Sequence, residues 1–323
     1  MRTKICTLLL LLLGVALPAL SSRCPDSDRL PTSCLCDDEY MDEEVDLELS
    51  CSGSTLDELN DALRLFDTNS KLEVQLDEMN LGTLPSRLFD GWNVVKLDIS
   101  HCELNSLAPQ GQVALAGLED TLESLVITAS FNEENQRTKL DLSHLRRLTS
   151  LDLSYNAITE LSDDWFARGP ASLTDLVLSN NGIEKIGDRA FANLVNLDKL
   201  ELHGNRFGPV KRSMLPRPAN RLENLELDNN ALSSFPDDFF DDLPALKILA
   251  MTNNGFARLP ERVFKKILSQ LELLDVRGNP IECDSTMKWL FHVKNDLTIF
   301  GTCHGPEDKQ GVDLDDFIER KGQ

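Results

Sequence analysis

Of 323 residues, 54 are aspartate or glutamate and 32 are lysine or arginine, a formal charge of −22 at pH 7. A surface this acidic repels phosphate backbones and anionic headgroups, which argues against nucleic acid as a partner and favours basic ones. The same charge keeps a chain soluble, and its steering fades beyond the roughly 8 Å screening length of physiological salt.

Residues 1–21 read as a secretory signal peptide. Arg2 and Lys4 precede an apolar run from Leu8 to Leu17 broken only by Gly14; Pro18 and Ala19-Leu20-Ser21 then place a cut ahead of Ser22. The run is well short of the ~20 apolar residues that cross a bilayer. No later stretch is long and apolar enough to do so, and the tail from Asp313 to Gln323 is charged. A secreted protein without a membrane anchor is expected. Cleavage removes Arg2, Lys4 and Cys6, leaving a charge of 30 − 54 = −24 and seven cysteines.

Residues 22–70 read as an N-terminal cysteine cap and capping helix. Cys24, Cys34, Cys36 and Cys51 lie here, and four cysteines allow three pairings. Thr55 and Glu58 form a capping box that opens a short helix, with Leu56, Leu59, Leu63 and Phe66 facing inward.

Residues 71–281 repeat. Leu148, Leu151, Leu153, Asn156, Ile158 and Leu161 set the frame L-x-x-L-x-L-x-x-N-x-L-x-x-L. It returns from Leu173, Leu197, Leu222, Leu246 and Leu271, and backwards from Leu122, Val94 and Lys71, in steps of 23, 28, 26, 25, 24, 25, 24 and 25. These nine copies fall within the roughly 20–29 residues of a leucine-rich repeat. The expected fold is an α/β-type solenoid, a horseshoe with a parallel concave β-sheet and an irregular or short-helical convex side. The L-x-L pair points inward on a short strand, and stacking buries a core that one repeat alone could not. Asparagine at the ninth position both donates to and accepts from buried backbone groups of adjacent turns. A further column of Phe89, Phe166, Phe191, Phe240 and Phe264 keeps the repeat's period and reads as core packing. Cys102 occupies a ninth position, so it is expected to be a buried, unpaired thiol.

The strand residues between core positions line the concave face. Asp98, Val126, Asp152, Tyr155, Asp175, Val177, Glu201, His203, Glu226 and Asp228 are the candidate protein-binding residues. Val126 and Val177 are read as a dry centre ringed by Asp152, Asp175 and Glu201. The third repeat loses its apolar spacing after Ser130, and Phe131 to Thr138 reads as a charged loop on which Phe131 fills a gap or meets a partner. There is no N-x-S/T sequon, so no N-linked glycan is expected on these surfaces.

Residues 282–323 read as a C-terminal cap: Gly278-Asn279-Pro280, Cys283, Trp289-Leu290, Cys303, Pro306 and Gly311, with Ser285 in place of a further cysteine. Both ends resemble the cysteine caps of extracellular leucine-rich repeat proteins. That resemblance implies the bridges Cys24–Cys36, Cys34–Cys51 and Cys283–Cys303, the last surviving because the two absent cysteines are each other's partner. A narrower resemblance rests on residues 51–56, Asn80 to Gly91, and Val95 to Cys102. These look like arthropod secreted repeat proteins named for the non-catalytic subunit of oplophorus-luciferin 2-monooxygenase, which implies a companion to a separate enzyme chain and no chemistry of its own.

His101, His144, His203, His292 and His304 show no H-E-x-x-H, and no C-x-x-C, G-x-S-x-G, P-loop or dinucleotide fingerprint is present. No catalytic role, cofactor or metal is therefore expected. The expected partner is a basic or polar protein. Recognition of microbial surfaces and adhesion or matrix organisation are the alternatives, and the charge argues against glycosaminoglycans.

Overall fold

The computed structural model describes residues 23–39, 43–131, 141–292 and 297–319. The segment read as a signal peptide and residues 132–138 of the charged loop lie outside them.

In chain order the strands are β1 (Cys34–Asp37), β2 (Leu47–Ser52), β3 (Lys71–Asp77), β4 (Asn80–Thr83), β5 (Asn93–Ser100), β6 (Glu103–Ser106), β7 (Ser124–Thr128) and β8 (Ser150–Asp152). They continue as β9 (Glu160–Leu161), β10 (Asp175–Val177), β11 (Lys185–Ile186), β12 (Lys199–Glu201), β13 (Asn224–Glu226), β14 (Ile248–Ala250), β15 (Leu273–Asp275) and β16 (Thr298–Phe300). Twelve of them form one sheet, in the order β1-β2-β3-β5-β7-β8-β10-β12-β13-β14-β15-β16. The fold is a leucine-rich repeat solenoid with few helices. Only β1 runs antiparallel; every pair from β2 onward is parallel. Small parallel pairs, β4 with β6 and β9 with β11, add a second edge.

The sheet follows from the columns. Leu125, Leu151, Leu176, Leu200, Leu225, Leu249 and Leu274 occupy one inward position on successive rungs, and all are fully buried. Each contributes on the order of 1.5–3 kcal/mol of burial before entropy is counted. The phenylalanine column is also buried, but it is not one stack: Phe166 meets Phe191 at 6.0 Å and Phe240 meets Phe264 at 5.5 Å. Leu215 fills the position between these two pairs, and Phe235, Phe239 and Phe256 thicken the second.

The turn out of each strand is made one residue before the asparagine. Glu78, His101, Ala129, Tyr155, Asn180, Gly204, Asn229, Asn253 and Gly278, the eighth residue of each copy, all have φ between 48° and 71°. Gly53 has φ 62° in the cap, where β2 pairs with β3 in the same register. The frame therefore begins a rung earlier than the leucines suggest, with Leu49, Cys51 and the buried Ser54 in the core and ninth positions. β16 adds a rung at the other end. At Gly204 and Gly278 glycine is also a spatial need, because a Cβ there would collide with the side chains of Asn180 and Asn253 on the preceding rung.

Disulfides Cys24–Cys36, Cys34–Cys51 and Cys283–Cys303 close the ends. The helix Leu56–Leu63 is opened by the Thr55–Glu58 capping box and buries Leu59, Ala62 and Leu63. Leu56 packs only partly against the core. Cys102 is the free, buried thiol, and burial pushes its pKa up.

Candidate binding surface

The outward side chains of the sheet form rows fixed by strand register. One row runs unbroken from Leu35 through Ser50, Gln75, Asp98, Val126, Asp152, Val177, Glu201, Glu226, Ala250 and Asp275 to Phe300. Its ends are exposed and apolar: Leu35 is 72% and Phe300 44% exposed. Both lie in strands contributed by the caps, where leucine spacing gives no sign of a concave position.

Between these ends the row is half-buried and rich in carboxylates. Val126 and Val177 do not form a joined apolar centre. Each rung supplies one residue to a row, and Asp152 on β8 stands between them. Tyr155 leaves the sheet plane: it is the left-handed turn residue of its copy and is 64% exposed.

The carboxylates have different partners. Asp98 accepts the Ser100 hydroxyl, and burial pushes its pKa up, with Glu73, Asp152 and Asp77 adding to the rise. Asp152 accepts the backbone N–H of Ser154 at 2.8 Å, and Asp175 the Thr174 hydroxyl at 2.6 Å. Asp228 accepts the N–H of Thr252 at 2.6 Å. Asp275 is chelated by Arg277, which also lies over the Phe300 ring at 5.2 Å.

Glu201, His203 and Glu226 come together on β12 and β13. Lys199 pairs with Glu201 and reaches Glu226 Oε1 at 4.0 Å; its hydrogen bond to Glu201 holds its pKa above the ordinary value. Asn224 Nδ2 donates to Glu226 Oε1 at 3.0 Å. His203 Nδ1 lies 2.9 Å from Ser179 Oγ and 3.6 and 3.7 Å from Oε2 of Glu201 and Glu226. Leucine spacing places Glu201, His203 and Glu226 on this face, with Arg277 in the column of His203, but leaves Lys199 unnamed beside its register partner Asp175. The signal for Lys199 was its position two residues before Glu201 on one strand, where side chains share a face.

A cavity of about 660 Å³ lies along the helix Glu261–Leu268, lined by Arg258, Arg262, Lys265 and Lys266 among others. Each of these cations already pairs with a carboxylate, Asp284, Asp237, Glu261 and Asp241 respectively, so it offers no free positive site. Among the described residues no helix is long and apolar enough to cross a membrane.

A family model described as leucine rich repeat matches residues 146–207 and 220–281. Human Toll-like receptor 8 is 27% identical over 136 residues, which cover 41% of this chain but only 12% of the receptor. A chain of the solved octameric complex of Latrophilin 3, Unc5D and FLRT2, in which FLRT2 is the leucine-rich repeat component, superposes with a TM-score of 0.50 at 24% identity. That match covers 78% of this chain and 68% of the other, and it speaks for the fold alone. With its strand frame running past the matched residues on both sides, the chain has the leucine-rich repeat fold.

Proposed function

We propose that this chain is a secreted, non-catalytic binding protein whose acidic concave face receives a basic segment of a protein partner. The row from Leu35 to Phe300 carries the reading: carboxylates recur along a sheet whose two ends expose apolar side chains. A lysine- or arginine-rich segment laid along it meets Asp98 and Asp152 in the row and Asp175 in the row beside it, and solenoids commonly bind on this face. Three disulfides suit an oxidising extracellular setting. Within this reading the chain serves as accessory subunit to a separate secreted enzyme, the role implied by the resemblance of residues 51–102.

The test is capture from the secretory fluid of the source organism, followed by mass spectrometry. Wild-type chain is compared with a variant carrying Asp98→Asn, Asp152→Asn and Asp175→Asn. The expected result is a basic protein held by the wild type and retained at least tenfold less by the variant. Equal retention moves the binding surface to the loops or the convex side. Binding of microbial glycans with no protein partner replaces this reading by surface recognition.

A further inference from the structure

We propose that Glu201, His203 and Glu226 form a site for a borderline divalent cation, zinc above all, on the concave face. Among the described residues they are the one group whose histidine and carboxylate ligand atoms all lie within 4.8 Å of one another. His203 Nδ1 stands 3.6 Å from Glu201 Oε2 and 3.7 Å from Glu226 Oε2. Ligand atoms about 2.0–2.1 Å from a shared zinc ion stand roughly 3.4 Å apart in a tetrahedron. Only a few tenths of an ångström separate the existing cluster from that arrangement on its nitrogen-to-oxygen edges.

The sheet holds the ligands in place. Glu201 and Glu226 are register partners on adjacent parallel strands, so their Cα atoms are fixed one rung apart. Lys199 pairs with Glu201 through Oε1, and Asn224 donates to Oε1 of Glu226. Each carboxylate is thus anchored by one oxygen and turns the other, Oε2, toward His203. Supporting hydrogen bonds of this kind orient metal ligands in known sites. Ligation through Nδ1 displaces the Ser179 hydroxyl, 2.9 Å away, and places the ring proton on Nε2; the Asn180 amide, whose Nδ2 stands 3.5 Å from Nε2, then turns its oxygen to accept that proton.

Electrostatics favours a cation there. Glu201 is 14% and Glu226 26% exposed, so two carboxylates share a partly dry position with Lys199 as the cation between them. Asp275, two rungs on, is paired with Arg277. A divalent ion supplies the missing charge, with water or a partner's side chain completing its shell. One imidazole with two carboxylates suits zinc better than calcium, which takes six to eight oxygens.

The test uses the full secreted chain, stripped with a chelator and titrated with zinc chloride in a calorimeter, with calcium chloride alongside. The expected result is one saturable equivalent of zinc, bound at least tenfold more weakly by His203→Ala and by Glu226→Gln. Asp152→Asn, a carboxylate of the same face outside the cluster, should leave the affinity unchanged. Zinc should also raise the melting midpoint of the wild type and not that of Glu226→Gln. No saturable binding overturns the site, as does tighter binding of calcium than of zinc. Unchanged binding in both variants also overturns it, and loss only in His101→Ala would place the ion beside Asp77 instead.

Discussion

The rungs on either side of Ser130 solve one problem with different side chains. From Asn156 to Asn279 every ninth position is asparagine, whereas Met79, Cys102 and Ser130 stand there before it. Cys102 Sγ shares its one proton between the carbonyls of Leu76 (3.4 Å) and Ser100 (3.2 Å) and accepts the N–H of Met79 (3.4 Å). Ser130 Oγ reaches the carbonyls of Ile99 (3.0 Å) and Thr128 (2.7 Å) and accepts the N–H of Cys102 (3.0 Å). Asn156 contacts the same three backbone positions: the carbonyls of Ile127 and Ser154, and the N–H of Ser130. From Cys102 onward each rung therefore uses a short polar side chain that bridges to the rung before it, and an amide is one of three that serve. Asparagine reaches further, since Asn205 Oδ1 alone accepts the N–H groups of Asn181, Gly182 and Ile183. The family model matches only this asparagine half.

Removing a well-used asparagine should have the largest effect. Asn205→Ala strands three N–H groups in a buried setting, while the carbonyls of Leu178 and Leu202 keep the Nδ2 groups of Asn181 and Asn230. At about 1–3 kcal/mol for each buried group left unpaired, with part regained by relaxation, a loss of about 4 kcal/mol is expected in urea unfolding. Asn181 keeps its donor bonds, but its Oδ1 has no partner. Asn181→Ala should therefore cost about 2 kcal/mol. Equal losses would mean that the acceptor side of the ladder carries no weight.

The thiol rung should respond more weakly. Cys102→Ala is expected to cost about 1–2 kcal/mol, for lost sulfur hydrogen bonds and a small cavity. Cys102→Ser should cost less, because Ser130 shows that a hydroxyl fits the same bridge. Burial raises the Cys102 pKa, so a disulfide reagent should label it only as fast as the chain unfolds. Rapid labelling of the native chain would sink this account.

The core columns were legible because burial at fixed spacing leaves leucine at fixed spacing. The turn was half legible: Asn180, Gly204, Asn229, Asn253 and Gly278 are residues that tolerate the left-handed region, while Glu78, His101, Ala129 and Tyr155 hide it. The rung in the N-terminal cap was hidden because Asp46 and Ser54 replace the leucine and asparagine of its frame. On the concave face the spacing located side chains but could not assign their partners. Lys199 meets Glu226 across a rung, and Lys96 turns to Glu44 at 3.6 Å, outside the nine copies. Such pairing depends on side-chain rotation, which leaves no period in the sequence.

The two halves also differ in charge on that face, and the smallest predicted effect tests this. Asp275 in the carboxy-terminal half is paired with Arg277, whereas Asp98 faces Glu73, Asp77 and Asp152 and is partly desolvated. An aspartate whose folded pKa is raised costs stability when charged. That cost is full above the folded pKa and absent below the ordinary carboxylate value of about 3.9. Asp98→Asn keeps an acceptor for Ser100 and removes the charge, so it should stabilise the chain at neutral pH by about 0.5 kcal/mol, a figure discounted for solvent screening. The gain should shrink as pH falls toward 4 and vanish below it. Asp275→Asn should have the opposite sign at neutral pH, because it leaves Arg277 without its carboxylate. Melting midpoints of both variants across pH 3–7 read the difference directly, and a loss in both would mean that Asp98 is held by its Ser100 bond more than it is opposed by its neighbours.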